Sequence, residues 1–258
     1  MDTIKAIKAF LLFSLVCVPL YAAEKPIALY FSEKGNWAPS REHLKFFFDH
    51  YRYSYEIITP FTILGGGLTN KYSMIVMPGG KSWEYLKELG DKGAQEIKRF
   101  TATGGRFVGI CAGAFYATSH RLGGYKTGEY GIGLLNGTAF DGTQMNAKPF
   151  LKGMLNFNFT LSGFANQFNV LLLEGPSFRF SEEEEKSKFI ETLATYPEIN
   201  EPAVISLKYE KGRVLLIGPH PEIEESKLYK GLLYKDNDSE WEMLNYLFKT
   251  LMSEKNYK

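Results

Sequence analysis

The stretch 106–119 reads RFVGICAGAFYATS and decides the fold class of the chain. Arg106–Ile110 is short and apolar, which predicts a buried strand. The residues after Cys111 are mostly small, which favours a helix packed close against a sheet. Gly109 and Gly113 flank the cysteine, and glycine lets neighbouring backbone segments approach closely. The stretch therefore predicts a strand, a sharp turn at Cys111 and a helix.

The same order of strand and helix continues on the N-terminal side of this stretch. Apolar runs bounded by glycine and proline predict strands, and amphipathic runs predict helices, the first of them capped by Ser40. The predicted strands are 26–31, 55–59, 72–77 and Arg106–Ile110, and the predicted helices are 40–51, 90–103 and 112–119. Alternating strands and helices predict a mostly parallel sheet that is covered on both faces.

The later half of the chain contains more β-structure. Candidate strands at 134–140, 169–174, 203–207 and 213–217 are followed by an amphipathic helix that begins near Ser239. The last two strands flank Tyr209-Glu210-Lys211-Gly212, which is typical of a hairpin turn. We therefore predict one α/β domain, 24–258, a flavodoxin-like three-layer sandwich with a C-terminal antiparallel hairpin.

Composition excludes several classes of protein. The 258 residues are 45% hydrophobic and 23% charged, an ordinary globular balance. The 30 Lys and Arg against 29 Asp and Glu leave a formal charge of +1, without the basic excess of a dedicated nucleic-acid binder. The two cysteines exclude a disulfide framework and a multi-cysteine zinc site. No motif implies a metal or a cofactor.

The first 23 residues have the layout of a secretory signal peptide. Lys5 and Lys8 precede an apolar run, which ends at the small residues Ala22 and Ala23. The run is shorter than the roughly 20 residues that a spanning helix needs, so a retained membrane anchor is the less favoured alternative. We expect a periplasmic or secreted protein with no stable membrane anchor after cleavage. Its remaining cysteine, Cys111, is then either buried and inert or kept for its chemistry.

The turn at Cys111 has the sequence form of a nucleophile elbow, G-x-C-x-G between a strand and a helix. Such a turn holds the sulfur at a helix N-terminus, where the helix dipole favours a thiolate. The N–H of Ala112 points to where an oxyanion would form. A thiolate also needs a base, and the 4 histidines of the chain are the candidates.

His220 is the candidate base, because it follows a predicted strand in the proline-fixed loop Gly218-Pro219-His220-Pro221-Glu222. Residues i and i+2 of an extended segment point the same way, so Glu222 can orient the imidazole. The other three, His43, His50 and His120, are better explained as helix residues.

Three motifs together resemble the class I glutamine amidotransferase superfamily: PGG at 78–80, GICAGA at 109–114 and GPHPE at 218–222. Within it, the chain is most similar to the domain found at the N-terminus of eukaryotic biotin–protein ligases, which also occurs alone in bacteria. We see no motif of a biotin-ligase catalytic domain.

The resemblance implies a role for each matching residue. Cys111 is then the nucleophile, His220 the general base and Glu222 the orienting acid. Gly79 and Gly80 lie at the turn that resembles the family's oxyanion turn, and Ala112 supplies the other amide of an oxyanion site.

These observations predict a secreted cysteine hydrolase that cleaves an amide bond through a thioester. The substrate is a small amide, a γ-glutamyl compound or a peptide, and we expect no nucleic-acid partner and no cofactor. An amidotransferase that passes ammonia to a synthetase is disfavoured in an exported domain. The alternative is a non-catalytic ligand-binding or redox-responsive module that retains the fold. Whether His220 lies within hydrogen-bond reach of Cys111 discriminates between the two. The oligomeric state is open.

Overall fold

The structure, a computed structural model, describes residues 25–124, 127–141, 151–157, 167–196, 199–224, 226–227, 233–234 and 239–253. The predicted signal peptide, 1–23, lies outside the described residues. Within them, no helix has the length and hydrophobicity that crossing a membrane requires.

The first half of the chain alternates strands and helices, as predicted. Its elements are β1 (Ile27–Tyr30), α1 (Ala38–His50), β2 (Tyr55–Ile58), α2 (Pro60–Leu64), β3 (Met74–Met77), α3 (Ser82–Ala102), β4 (Arg106–Ile110) and α4 (Ala112–Ala117).

The second half is richer in strands. Its elements are β5 (Thr118–Leu122), β6 (Gly128–Glu129), β7 (Leu135–Asp141), β8 (Leu151–Phe157), β9 (Gln167–Leu172), β10 (Pro176–Arg179), α5 (Glu182–Ser187), β11 (Glu191–Tyr196), β12 (Glu201–Tyr209), β13 (Gly212–Ile217), β14 (Ser226–Lys227), β15 (Leu233–Tyr234) and α6 (Trp241–Met252).

The central sheet has nine strands in the order β2-β1-β3-β4-β13-β12-β11-β8-β9. From β2 to β13 all neighbours are parallel. From β13 to β9 all neighbours are antiparallel, beginning with the predicted hairpin of β12 and β13. The predicted parallel sheet is therefore present, but the antiparallel part extends well beyond one hairpin. A separate sheet has the order β10-β7-β5-β6.

The parallel strands β1, β3, β4 and β13 are buried on both faces, because their side chains alternate between two cores, whereas β2 is a partly exposed edge strand. In β4, Phe107 faces one core and Val108 and Ile110 face the other. The first core packs against α3 and α4, and the second packs against α1 and α6 through residues such as Phe47 and Phe248. The result is three layers with the sheet in the middle.

Helices α3 and α4 differ from their predicted bounds for identifiable reasons. Helix α3 begins at Ser82, not at residue 90, and Gly90 lies inside it as a kink with φ 53° and ψ −162°. Because glycine is a common helix boundary, the sequence predicts a helix that begins at Gly90 and not at Ser82. Helix α4 ends at Ala117, since the Thr118 hydroxyl donates to the Phe115 carbonyl and the chain continues as β5. The helix predicted to reach 119 is therefore shorter.

Candidate functional site

Cys111 lies at the carboxyl end of β4, immediately before α4. Its φ of 48° and ψ of −101° are strained for a residue with a side chain, and its N–H donates to the Ile217 carbonyl at 2.8 Å. A Cβ at Gly113 would collide with the Met77 carbonyl, and one at Gly109 would collide with Gly113. The two glycines of the motif are thus required because backbone segments touch there.

His220 and Glu222 follow β13, the strand beside β4, so the parallel pairing brings them to the same end of the sheet as Cys111. The His220 Nδ1 and the Glu222 Oε1 are 2.8 Å apart, and both side chains are buried. Cys111 lies close enough to the imidazole to contribute to the raised pKa of His220. The structure therefore brings the three residues together in the predicted order, while their chemical roles stay predictions.

The surroundings of His220 favour the protonated form of its imidazole. Burial alone would lower its pKa, but the Glu222 carboxylate, with a further contribution from Cys111, outweighs burial and raises the pKa of His220 to about 10. The Nδ1–Glu222 contact fixes the ring orientation and leaves the opposite ring nitrogen for Cys111. The site thus contains a buried imidazolium that is oriented by a buried carboxylate.

Ser40 is the residue of this site that sequence reasoning missed. It was predicted to cap α1, but the helix begins earlier, at Ala38, and the Ser40 hydroxyl serves another purpose. It donates to the Glu222 Oε1 at 2.6 Å and accepts from the Gly79 N–H at 2.9 Å. Ser40 therefore joins the PGG turn to the His220–Glu222 pair. Proline at the start of a helix was the available signal, since Pro39 favours a first turn that already contains Ser40.

The three backbone groups predicted at the oxyanion site differ in their surroundings. The N–H of Gly79 already donates to Ser40 and is not available to a ligand. Within the described ranges, the N–H groups of Gly80 and Ala112 donate to no acceptor. Gly80 has a φ of 148°, and a Cβ there would collide with the Gly35 carbonyl, so the turn requires glycine.

The walls of the site are apolar and close over the imidazole. The Trp37 ring meets the His220 ring edge-on, with 5.1 Å between centroids, and Trp37 also packs with Leu171 and Ile223. The Cys111 side chain is 6% exposed, and its sulfur donates to the Leu173 carbonyl at 3.6 Å. In this conformation the sulfur faces protein atoms and is nearly shielded from water.

Two further residues support the site from outside. The Tyr85 hydroxyl donates to the Pro78 carbonyl at 3.0 Å and accepts from the Asn36 side-chain amide at 2.7 Å, which holds the PGG turn. His43 accepts from the Glu224 N–H at 3.2 Å, and burial lowers the pKa of His43 although the Glu222 carboxylate opposes this. No group of three His, Cys, Asp or Glu side chains suited to a metal occurs in the described part of the chain.

Residues 40–256 match the family model described as "Biotin-protein ligase, N terminal". The chain belongs to this biotin–protein ligase N-terminal family. The matched range contains every residue of the site except Trp37 and Asn36. The predicted resemblance to this branch is thereby confirmed.

Two curated relatives agree with the family membership. A biotin–protein ligase of Schizosaccharomyces pombe is 25% identical over 197 residues, which is 69% of this chain and 30% of the ligase. An uncharacterised protein of Chlamydia muridarum is 26% identical over 160 residues, which is 58% of this chain and 60% of that protein. The chain thus spans less than two thirds of either relative.

Comparison with a solved structure identifies the type of fold. A crystal structure of a glutamine amidotransferase has a TM-score of 0.60 and 16% sequence identity to this chain. The similarity covers 87% of this chain and 98% of the amidotransferase. The fold is therefore of the glutamine amidotransferase type, as the sequence predicted, and at this identity the similarity concerns the fold alone.

The predicted function, a secreted cysteine hydrolase of amide bonds, is wrong. The family and the ligase relative point to a biotin-related ligase or binding role. The prediction took chemistry from motifs that many proteins of one fold share, and a fold does not determine a reaction.

Proposed function

We propose that this chain is a ligand-binding domain that serves protein biotinylation and takes the carboxylate of biotin or of a closely related molecule at the His220 imidazolium. Family membership supports the link to biotin ligation. The observation that carries the binding role is the buried His220–Glu222 pair beside Cys111.

Charge is the first argument for a carboxylate ligand. Glu222 orients the His220 ring and raises its pKa, and Ser40 donates to Glu222, so the ring N–H on the side away from Glu222 is a charged donor. The N–H groups of Gly80 and Ala112 add neutral donors at the same end of the sheet. Charged donors bind carboxylates with short, strong hydrogen bonds. A carboxylate that displaces the weak contact between the Cys111 sulfur and the Leu173 carbonyl would gain all three donors.

Shape is the second argument. Trp37, Leu171 and Ile223 form an apolar wall beside the imidazole, which suits an aliphatic chain or a saturated ring attached to the carboxylate. Small-ligand sites usually combine such apolar walls with a few fixed polar groups. In this role the turn at Cys111, where φ is 48°, presents the sulfur and the Ala112 amide to the ligand without a covalent step.

Calorimetric titration of the intact protein with biotin and with biotinamide, in which the carboxylate is blocked, tests the proposal. We expect biotin to bind at least about tenfold more tightly than biotinamide, since a charged hydrogen bond is worth about 1.5–3 kcal/mol. His220→Gln should remove the difference, whereas the control His50→Gln should keep it, because His50 lies at the exposed end of α1. Equal affinity for the two ligands, or no binding of either, would contradict the proposed function.

We further propose that residues 1–23 are removed as a signal peptide. The charged start, the short apolar run and the small residues Ala22 and Ala23 support this. N-terminal sequencing of the protein from its native cells should find a chain that begins at Glu24. A mature chain that retains Met1 or Asp2 would contradict it.

A further inference from the structure

A cleft lies at the opposite end of the central sheet from Cys111. It has a volume of about 980 Å³ and lies at the amino ends of β1, β3 and β4. The strand ends contribute Ile27, Ser73 and Arg106, and the C-terminal ends of α1, α3 and α6 close its sides. The cleft shares no lining residue with the Cys111 site.

The charge of this cleft is one-sided. Lys25, Arg52, Arg106 and Lys249 line it, and no Asp or Glu is among its lining residues in the ranges that the structure describes. Clefts lined by one sign of charge concentrate ions of the opposite sign. The lining therefore favours an anion.

The negative ends of the neighbouring helices offset only part of this positive charge. Each helix C-terminus has about half a negative charge, so the three that meet here amount to roughly one and a half. The carbonyls at the end of α6 are already bonded by arginines: Arg106 donates to Leu251 and Met252 at 2.9 and 2.8 Å, and Arg213 donates to Thr250 and Ser253. A surplus of positive charge remains in the cleft.

The other side chains that line the cleft suit a ligand with a phosphate group and a planar ring. Five hydroxyl side chains, Ser54, Thr69, Ser73, Thr103 and Ser253, lie among the cations. The Thr69 hydroxyl oxygen is buried and has no partner within the described part of the chain. Tyr53, which is half-buried, provides aromatic surface in the same cleft, and the buried rings of Tyr72 and Phe100 form the wall behind it. Phosphate has several acceptor oxygens, which suits a mixture of cations and hydroxyls.

We propose that this cleft binds a small phosphate-bearing molecule with a planar ring, the phosphate lying among Arg52, Arg106 and Lys249 and the ring against Tyr53. Arg106 is held in place by the end of α6, so it offers a fixed charge. Arg52 and Lys249 are exposed side chains that can close on the phosphate. This site is independent of the carboxylate site proposed above.

Calorimetric titration of the intact protein with AMP, adenosine and inorganic phosphate tests the proposal. We expect AMP to bind more tightly than adenosine, inorganic phosphate to compete with AMP, and the affinity for AMP to fall as salt is raised towards about 0.15 M. Arg52→Gln and Lys249→Gln should each weaken AMP binding by about tenfold, since each removes one charged contact.

Matched controls locate the binding. Lys87→Gln removes a cation from the exposed surface of α3 and should leave the affinity for AMP unchanged. His220→Gln should also leave it unchanged, which separates this cleft from the Cys111 site. A loss in either cleft variant with both controls unchanged supports the proposal. If AMP fails to bind, binds no better than adenosine, or binds both cleft variants as tightly as it binds the wild-type protein, the proposal is overturned.

Discussion

The two ends of the parallel strands use charge in opposite ways. At the carboxyl end, Glu222 and His220 are both buried, and the Glu222 Oε1 is bonded to the imidazole and to Ser40. At the amino end, Arg52 and Lys249 are exposed in an open cleft that contains no described carboxylate. Buried charges must be paired in order to exist, whereas exposed charges need no partner. We therefore expect the buried carboxyl-end charges to contribute to stability, and the exposed amino-end cations Arg52 and Lys249 to contribute little to it.

The largest expected effect concerns the backbone contact that forms the carboxyl-end site. Gly113→Ala should lower the free energy of unfolding by more than about 4 kcal/mol, because the new Cβ would collide with the Met77 carbonyl and backbone cannot move aside. Gly90→Ala is the matched control: it has a positive φ but open space, so about 1–2 kcal/mol is expected. Chemical denaturation measures both. Equal losses of unfolding free energy in the two variants would mean that the close approach of α4 to β3 does not contribute to stability.

Breaking the buried pair should come next. Glu222→Gln should cost about 3 kcal/mol of unfolding free energy, since it leaves the imidazole without its carboxylate. The pKa of His220 should fall from about 10 towards its ordinary value of 6.5 or below. NMR titration of the histidines measures the pKa. The control Glu242→Gln, on the exposed side of α6, should change neither quantity.

The pH dependence of stability follows from the same pair. The pKa of His220 is raised in the folded protein, so its contribution is complete below 6.5 and is lost as the pH rises through about 10. We expect the unfolding free energy of the wild-type protein to fall by a few kcal/mol over this window. Denaturation curves across the window should show the fall, and His220→Gln should remove it. A flat wild-type profile would show that His220 titrates alike in the folded and unfolded states.

A smaller effect is expected from the hydroxyl that joins the two parts of the carboxyl-end site. Ser40→Ala should cost about 2 kcal/mol, because it removes a donor to Glu222 and leaves the Gly79 N–H buried without its acceptor. Ser73→Ala, in the amino-end cleft, should cost less than about 1 kcal/mol, since its hydroxyl makes one long bond to the Pro26 carbonyl, 3.4 Å. Thermal and chemical denaturation measure the stability of both variants. Similar losses of unfolding free energy would contradict the expected difference between the carboxyl-end site and the amino-end cleft.

The smallest effect on the unfolding free energy is expected at the amino end of the strands. Arg52→Gln should change the unfolding free energy by no more than about 0.5 kcal/mol, as for exposed positions without structural contacts. Chemical denaturation beside the wild-type protein is the measurement. A loss of unfolding free energy above about 1 kcal/mol would indicate that Arg52 stabilises the end of α1 and does not serve ligand binding alone.

The sequence predicted most of the parallel half of the fold and the location of the carboxyl-end site. Strand β4 has the predicted bounds, and the motif around Cys111 and the HPE segment occur at adjacent strand ends. The first half of α3 was missed because Gly90 interrupts it, and the second sheet was missed because β5 directly follows α4. The hydrolase function failed for another reason: the motifs identify a fold, and the reaction depends on contacts that they do not encode.

Local patterns by themselves determined the order of strands and helices, the need for glycine around Cys111 and the extended pairing of His220 with Glu222. These depend on residues that are near one another in the chain, so periodicity and turn chemistry reveal them. Only the tertiary structure decided that Ser40 bonds to Glu222 and Gly79, and that Arg52, Arg106 and Lys249 share one cleft. These residues are far apart in sequence, and they meet because parallel strands bring all their carboxyl ends to one edge of the sheet and all their amino ends to the other.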